Sequence, residues 1–189
     1  TVFEGVGAFS AGKIDEAAEE FRACLKAQPR SAEASLRLAT CEVELGDVAA
    51  ARARLEKLLA EHPHVTVALV ELAKIDLDDG NNERAERLLT DSGVLEPTND
   101  AAQYNLSLVL DRLGRPDEAA KHMARARELQ ETRRRLHDAL DRVNADSADL
   151  DARCDAGELW MELDEPQQAA SLFAAVLARD PQNARANEG

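Results

Sequence analysis

Three cysteines, four histidines and a group of arginines are the side chains through which this chain could do chemistry. Cys24, Cys41 and Cys154 are odd in number, and none stands at the short paired spacing that zinc, haem attachment or thiol–disulfide exchange demands. They read as small core residues. Cys24 and Cys41 fall in successive helical segments that should pack together, which leaves a bridge between them open, because spacing does not fix its geometry. His62 and His64 flank Pro63, and two imidazoles so placed would need further metal ligands that no motif supplies. A solvated turn is the default there. His122 and His137 lie on a helical stretch with carboxylates nearby. No nucleophile elbow, phosphate-binding glycine loop or metal-binding helix motif occurs, so the sequence predicts a non-enzyme without metal or cofactor.

Charge narrows the partners. The net charge is -14, and residues 76–100 hold eight Asp or Glu against two Arg, while residues 141–165 hold nine against two. Nucleic-acid affinity depends on Lys and Arg neutralising phosphates, so a nucleic-acid partner is not expected. The acidic runs have two readings: a solvated outer face that aids solubility, or a docking surface for a basic partner. Arg125, Arg127, Arg133, Arg134, Arg135 and Arg142 form a local exception, interspersed with Glu128, Glu131, Asp138 and Asp141. That interleaving points to pairing at helical spacing rather than to a dedicated anion site. No run of about 18 apolar residues is present to span a membrane, and no charged-then-apolar leader opens the sequence. Nothing here fixes a compartment.

The elements that must carry these residues repeat. Gly12, Gly46, Gly80 and Gly114 are each 34 residues apart, as are Ala17, Ala51, Ala85 and Ala119. Seven residues before the glycine the side chain is small, as Gly5, Ala39, Ala73, Ser107 and Gly157; nine after it stands a large apolar one, Phe21, Leu55, Leu89, Met123 or Phe173. Apolar spacings of three and four, as in Glu33–Leu45 and Val48–Leu59, mark amphipathic helices. The glycine suits a left-handed exit from one helix before entry into the next, and Pro29, Pro63 and Pro97 lie in the turn that ends each second helix. Each repeat reads helix, turn, helix, turn. Such a unit cannot bury its own apolar face, so copies must stack into a solenoid.

With its leucine and small-residue columns followed by glycine, alanine, a large apolar residue and proline, the chain resembles the tetratricopeptide repeat family. Leu38, Leu72 and Leu106 occupy the leucine column, from which Glu4 and Ala156 depart; segments 12–29 and 165–181 look like second helices of that family. The resemblance implies an all-α fold, a right-handed superhelical α-solenoid, with repeats at about 1–30, 31–64, 65–98, 99–133 and 150–183 in one domain. The fifth copy is out of step: Ala169 follows Ala119 by 50 residues, so 16 extra residues intervene. Glu131 stands where the fourth copy should turn, which predicts one helix from residue 117 to about 144, with an insertion at 134–149. Its stripe of Leu129, Leu136, Leu140 and Val143 implies that it packs on something. Thr1 falls partway into the first helix and residues 184–189 begin another, so the sequence reads as a segment of a longer chain.

In the family the first helices line a concave face, through positions two, three, six, nine and ten residues before the glycine. The resemblance thus implies a groove of Leu36, Arg37, Thr40, Val43 and Glu44; Val70, Glu71, Lys74, Leu77 and Asp78; and Tyr104, Asn105, Leu108, Asp111 and Arg112. The fifth repeat adds Cys154, Asp155, Glu158, Met161 and Glu162, an acidic end. The Lys, Asn and Arg clamp with which some members hold chaperone tails is not present in its order. The expectation is a scaffold that holds a protein or peptide partner, with Tyr104 as apolar anchor and Lys74 and Arg112 as its cationic flanks. Two alternatives stand beside it: a homo-oligomerisation module working through exposed repeat ends, and a spacer or regulatory segment of a larger enzyme.

Overall fold

Backbone torsions at the glycine column show what the period encodes. In this computed structural model, which describes residues 2–189 and leaves Thr1 outside the described residues, Gly12, Gly46, Gly80 and Gly114 have φ of 74°, 81°, 79° and 73°. A Cβ is disfavoured in that left-handed region, and glycine has none. Two hydrogen bonds close the bend: the Gly46 N–H donates to the Val43 carbonyl at 2.9 Å and the Asp47 N–H to the Glu42 carbonyl at 2.8 Å. The same pair recurs at Gly12, Gly80 and Gly114, satisfying carbonyls that a helix end leaves unpaired.

The turns join helices in pairs: α1 (Val2–Ser10) with α2 (Ile14–Ala27), α3 (Ala32–Glu44) with α4 (Val48–Glu61), α5 (Thr66–Asp78) with α6 (Asn82–Leu95), and α7 (Asp100–Arg112) with α8 (Pro116–Ala145). A fifth pair, α9 (Leu150–Glu162) and α10 (Pro166–Leu177), is followed by the short α11 (Ala184–Glu188). This is an α-solenoid of helix-turn-helix repeats. In the fifth pair Asp164 occupies the glycine column and still adopts φ of 61°, with the same two bonds, from Asp164 N–H to Met161 and from Glu165 N–H to Trp160. Several helices start alike. Ser31, Asp149 and Asn183 accept hydrogen bonds from the N–H of Ala34, Ala152 and Ala186, three residues on.

The long helix predicted over 117 to about 144 is α8, 30 residues and about 45 Å in length. It ends in the ordinary inter-repeat turn: the Asp146 N–H donates to Arg142 at 2.9 Å, as the His62 N–H does to Leu58 at 2.7 Å. Proline is therefore not required for that turn. Its absence at Glu131 lets the helix run on. Leu129, Leu136 and Ala139 are buried against Ala156 and Leu159 of α9 and Leu163 just after it, with Leu140 packed beside them, so the stripe does have a partner.

By backbone contact the chain divides into two compact units, residues 1–97 with 101–120, and residues 98–100 with 121–189. In the first, apolar clusters follow one another along the chain, from Phe21 and Leu38 through Leu55 and Leu72 to Leu89 and Leu110. In the second, the α8–α9 cluster is followed by one around Cys154, Phe173 and Val176. The small and large columns meet inside these clusters, and their sizes are matched. A Cβ placed on Gly5 would lie 2.6 Å from the Phe21 ring, and one on Gly157 only 2.5 Å from the Phe173 ring. Where the large residue is Leu55 or Leu89, the small one is Ala39 or Ala73 in the same cluster.

Part of the acidic run at 76–100 is neither a solvated face nor a docking surface. Asp76 is fully buried and receives Arg52 at 2.6 Å from the preceding repeat and Arg84 at 3.3 Å from its own. Arg52 also holds Asp79, Arg84 holds Glu56, and Arg115 holds Glu86. Glu42, in the same column as Asp76, is buried under a two-point contact from Arg54 at 2.7 and 2.8 Å. Carboxylates of this run thus tie neighbouring repeats together. Paired, hydrogen-bonded charges of this kind are costly to break one partner at a time.

Two outcomes follow for the repeats themselves. Gly157→Ala should lower stability in urea unfolding by about 1–3 kcal/mol through overpacking, and the added Phe173→Leu change should recover part of that loss. Equal losses in the single and double variants would exclude the contact as the cause. Asp164→Gly should raise stability by about 1 kcal/mol, since it relieves a left-handed non-glycine residue.

Candidate interaction surface

Four first helices of the larger unit, α1, α3, α5 and α7, carry the positions that precede each glycine, and their exposure sorts the expected groove residues. Val70 and Leu77 are buried, at 3% and 4%, inside the cluster with Ala73 and Leu106. They offer no surface, which corrects the place of Val70 among the binding residues. Leu36, Val43 and Leu108 are partly buried against the same cores. Thr40 donates its hydroxyl to the Leu36 carbonyl at 3.2 Å, and Asn105 its amide to the Ala101 carbonyl at 2.8 Å. Tyr104 is exposed at 42%.

The cations differ more than their spacing suggests. Lys74 is paired with Glu71 at 3.1 Å on its own helix, and Arg112 donates to the Leu77 carbonyl in the last turn of α5. Both are engaged, so neither is a free flank for Tyr104. Arg37 is exposed and bonded to no carboxylate among the described residues. Together with Thr40 it lines a cavity of about 50 Å³ whose other walls are Val6, Phe9, Ser10 and Phe21. Phe3, on the same helix as Phe9, is 88% exposed. Sequence reasoning missed Val6, Phe9 and Ser10, although the signal was present: they stand six, three and two residues before Gly12, at the offsets used for the other repeats.

In the second unit the acidic end expected on α9 is neutralised. Arg185 of α11 bonds Asp155 at 2.6 Å and Glu158 at 2.8 Å, and Arg142 of α8 bonds Asp155 and Asp149 at 2.8 and 3.1 Å. Arg135 and Thr132 approach Glu162, while Cys154 is buried and Met161 is 45% exposed. Burial pushes the Asp155 carboxyl up, but the hydrogen bonds from Arg185 and Arg142 outweigh it and hold the group below its ordinary range. Asp149 is lowered by the Ala152 N–H and by Arg142. Of the arginines on α8, Arg125 and Arg134 do pair at helical spacing, with Glu128, Glu131 and Asp138. Arg133, Arg135 and Arg142 instead reach off the helix, Arg133 to Asp100 and the Thr98 carbonyl.

The three cysteines are free thiols, and burial raises those of Cys41 and Cys154, which disfavours the reactive thiolate. Among the described residues no group of three or more His, Cys, Asp or Glu comes together to hold a metal, and no helix is long and apolar enough to cross a membrane.

One tetratricopeptide repeat family model matches residues 8–64 and 43–94, and a second matches residues 70–133. Together they span more than half of the sequence. The chain belongs to the tetratricopeptide repeat family. No curated protein matches it in sequence. Among solved structures, TTC0263, a thermophilic tetratricopeptide repeat protein in Thermus thermophilus, superposes with a TM-score of 0.62 at 22% identity, over 99% of this chain and 93% of that one. A crystal structure of MamA superposes with a TM-score of 0.58 at 19% identity, over 96% of each chain. At such identities the likeness is one of fold, and it extends over α9 to α11, which the family models do not reach. Family and fold are those of tetratricopeptide scaffolds for protein–protein interaction, typically non-catalytic.

The Arg142–Asp155–Arg185 bonds give a pH dependence. A carboxyl held below its ordinary value contributes stability above about pH 4, and that contribution is lost as pH falls further through the lowered value. Thermal unfolding of Asp155→Asn should therefore lie below that of the parent at pH 7 and converge on it toward about pH 2. A gap that stays constant across that range would contradict the assignment.

Proposed function

We propose that the first-helix face of the larger unit holds an extended segment of a partner protein, and that its strongest contact lies at the Phe9–Arg37–Thr40 end. The observation that carries this reading is the position of Arg37, an uncommitted cation beside a small cavity with walls of Val6, Phe9 and Phe21. A cavity of about 50 Å³ suits a small apolar side chain, and a carboxylate next to it would meet the guanidinium without competition from a protein acceptor. Tyr104 supplies a further exposed, rigid contact two repeats along. Lys74 and Arg112 contribute less, since each already has a partner.

The test compares single variants of the full chain against one partner, identified by crosslinking and then titrated as a purified segment. Arg37→Glu should weaken binding by about tenfold or more and reduce its salt dependence, and Tyr104→Ala should cost up to about 2 kcal/mol, both with helicity unchanged. Lys74→Ala should change affinity by less than either. If Arg37→Glu and Tyr104→Ala bind as tightly as the parent, the groove is not the site.

A further inference from the structure

One cleft of the first unit is formed mainly by second helices rather than first ones. It has a volume of about 500 Å³ and lies between α2, α4 and the turns that follow them, with Leu25 and Leu58 among its apolar walls. Its polar walls are unusual for so acidic a chain. Arg30 and Lys57 line it, and neither is bonded to a carboxylate among the described residues. Arg54 is fixed in the wall by Glu42, which accepts from its Nε at 2.8 Å and its Nη2 at 2.7 Å. That leaves the Nη1 group of this held guanidinium without an acceptor among the described residues. His62 closes the end of the cleft, and its Nε2 is buried with no hydrogen-bond partner.

We propose that this cleft is a second docking site, which takes a protein segment bearing a carboxylate side chain next to an apolar one. The carboxylate sits among Arg54, Lys57 and Arg30, and the apolar side chain lies on Leu25 and Leu58. Charge decides the ligand class. Arg30, Arg54 and Lys57 stand against Glu61 in the lining and Glu42 behind Arg54, which leaves one cation in excess and so favours a singly charged carboxylate over a doubly charged phosphate. Because Arg54 is already ordered by Glu42, its donor needs no reorganisation on binding.

The test uses the full chain and a fluorescein-labelled seven-residue peptide with a Leu-Glu-Leu centre, beside the same peptide with Gln in place of Glu. Anisotropy should show binding of the Glu peptide at least about tenfold tighter than of the Gln peptide. Lys57→Glu and Arg30→Glu, both at exposed positions, should each weaken the Glu peptide about tenfold and abolish the preference, with circular dichroism unchanged. Arg37→Glu, on the inner face, should leave it unaffected. Amide shifts on titration should concentrate in residues 25–35 and 50–62. Failure of the Glu peptide to bind, equal binding of the Gln peptide, parent-like affinity in the two charge reversals, or shifts centred on Phe9 and Arg37 would each overturn the proposal.

Discussion

The left-handed turn between paired helices is the constraint on which the rest depends. With the Gly46 torsion set and the bonds from Gly46 and Asp47 made, the exit of one helix and the entry of the next are fixed within three residues. That fixes which faces meet, and so places the small residue seven before the turn under the large one nine after it. The Gly5–Phe21 and Gly157–Phe173 contacts leave no room for a methyl group. A slip of one residue would move the bulky side chain off its seat, so turn and core enforce one another.

Charge supplies the next level of order. Apolar columns repeat every 34 residues and are therefore nearly alike from copy to copy, which leaves helix pairs free to match the wrong neighbour. The bonds from Arg52 to Asp76, Arg84 to Glu56 and Arg115 to Glu86 are not alike, and each spans two specific repeats. Such pairs contribute modestly to stability when exposed and more to selection of the right partner. They also explain how a chain of net charge -14 keeps carboxylates at its repeat junctions in ion pairs. Among the cations without a carboxylate partner, Arg37 lines a cavity on one side and Arg30 with Lys57 a cleft on the other.

Much of this was legible in the residues because it is local. Glycine spacing announced the turns, the small and large columns announced the packing, and the missing proline at Glu131 announced the length of α8. What was not legible depends on side-chain reach across repeats. Lys74 looked like a groove cation, but Glu71 stands three residues before it on the same face and takes its charge. Val70 shares its offset with Leu36 and Tyr104, yet it lies in the core, in one cluster with Leu106 of the next repeat. Asp155 and Glu158 looked like an acidic groove until Arg185, 27 or more residues away, was seen to cover them. Asp164 shows the opposite case, in which the column predicts glycine and the backbone keeps the torsion without it.

The order of packing has a bearing on synthesis. Within each unit, helices pack on those next or next but one along the chain, and the distant end contributes nothing to the first cores. A low average separation between contacting residues makes for rapid folding. A growing chain could therefore close the turn at Gly12, seat Phe21 and add Leu38 before the later repeats have been made. Each completed pair would offer the next one a template.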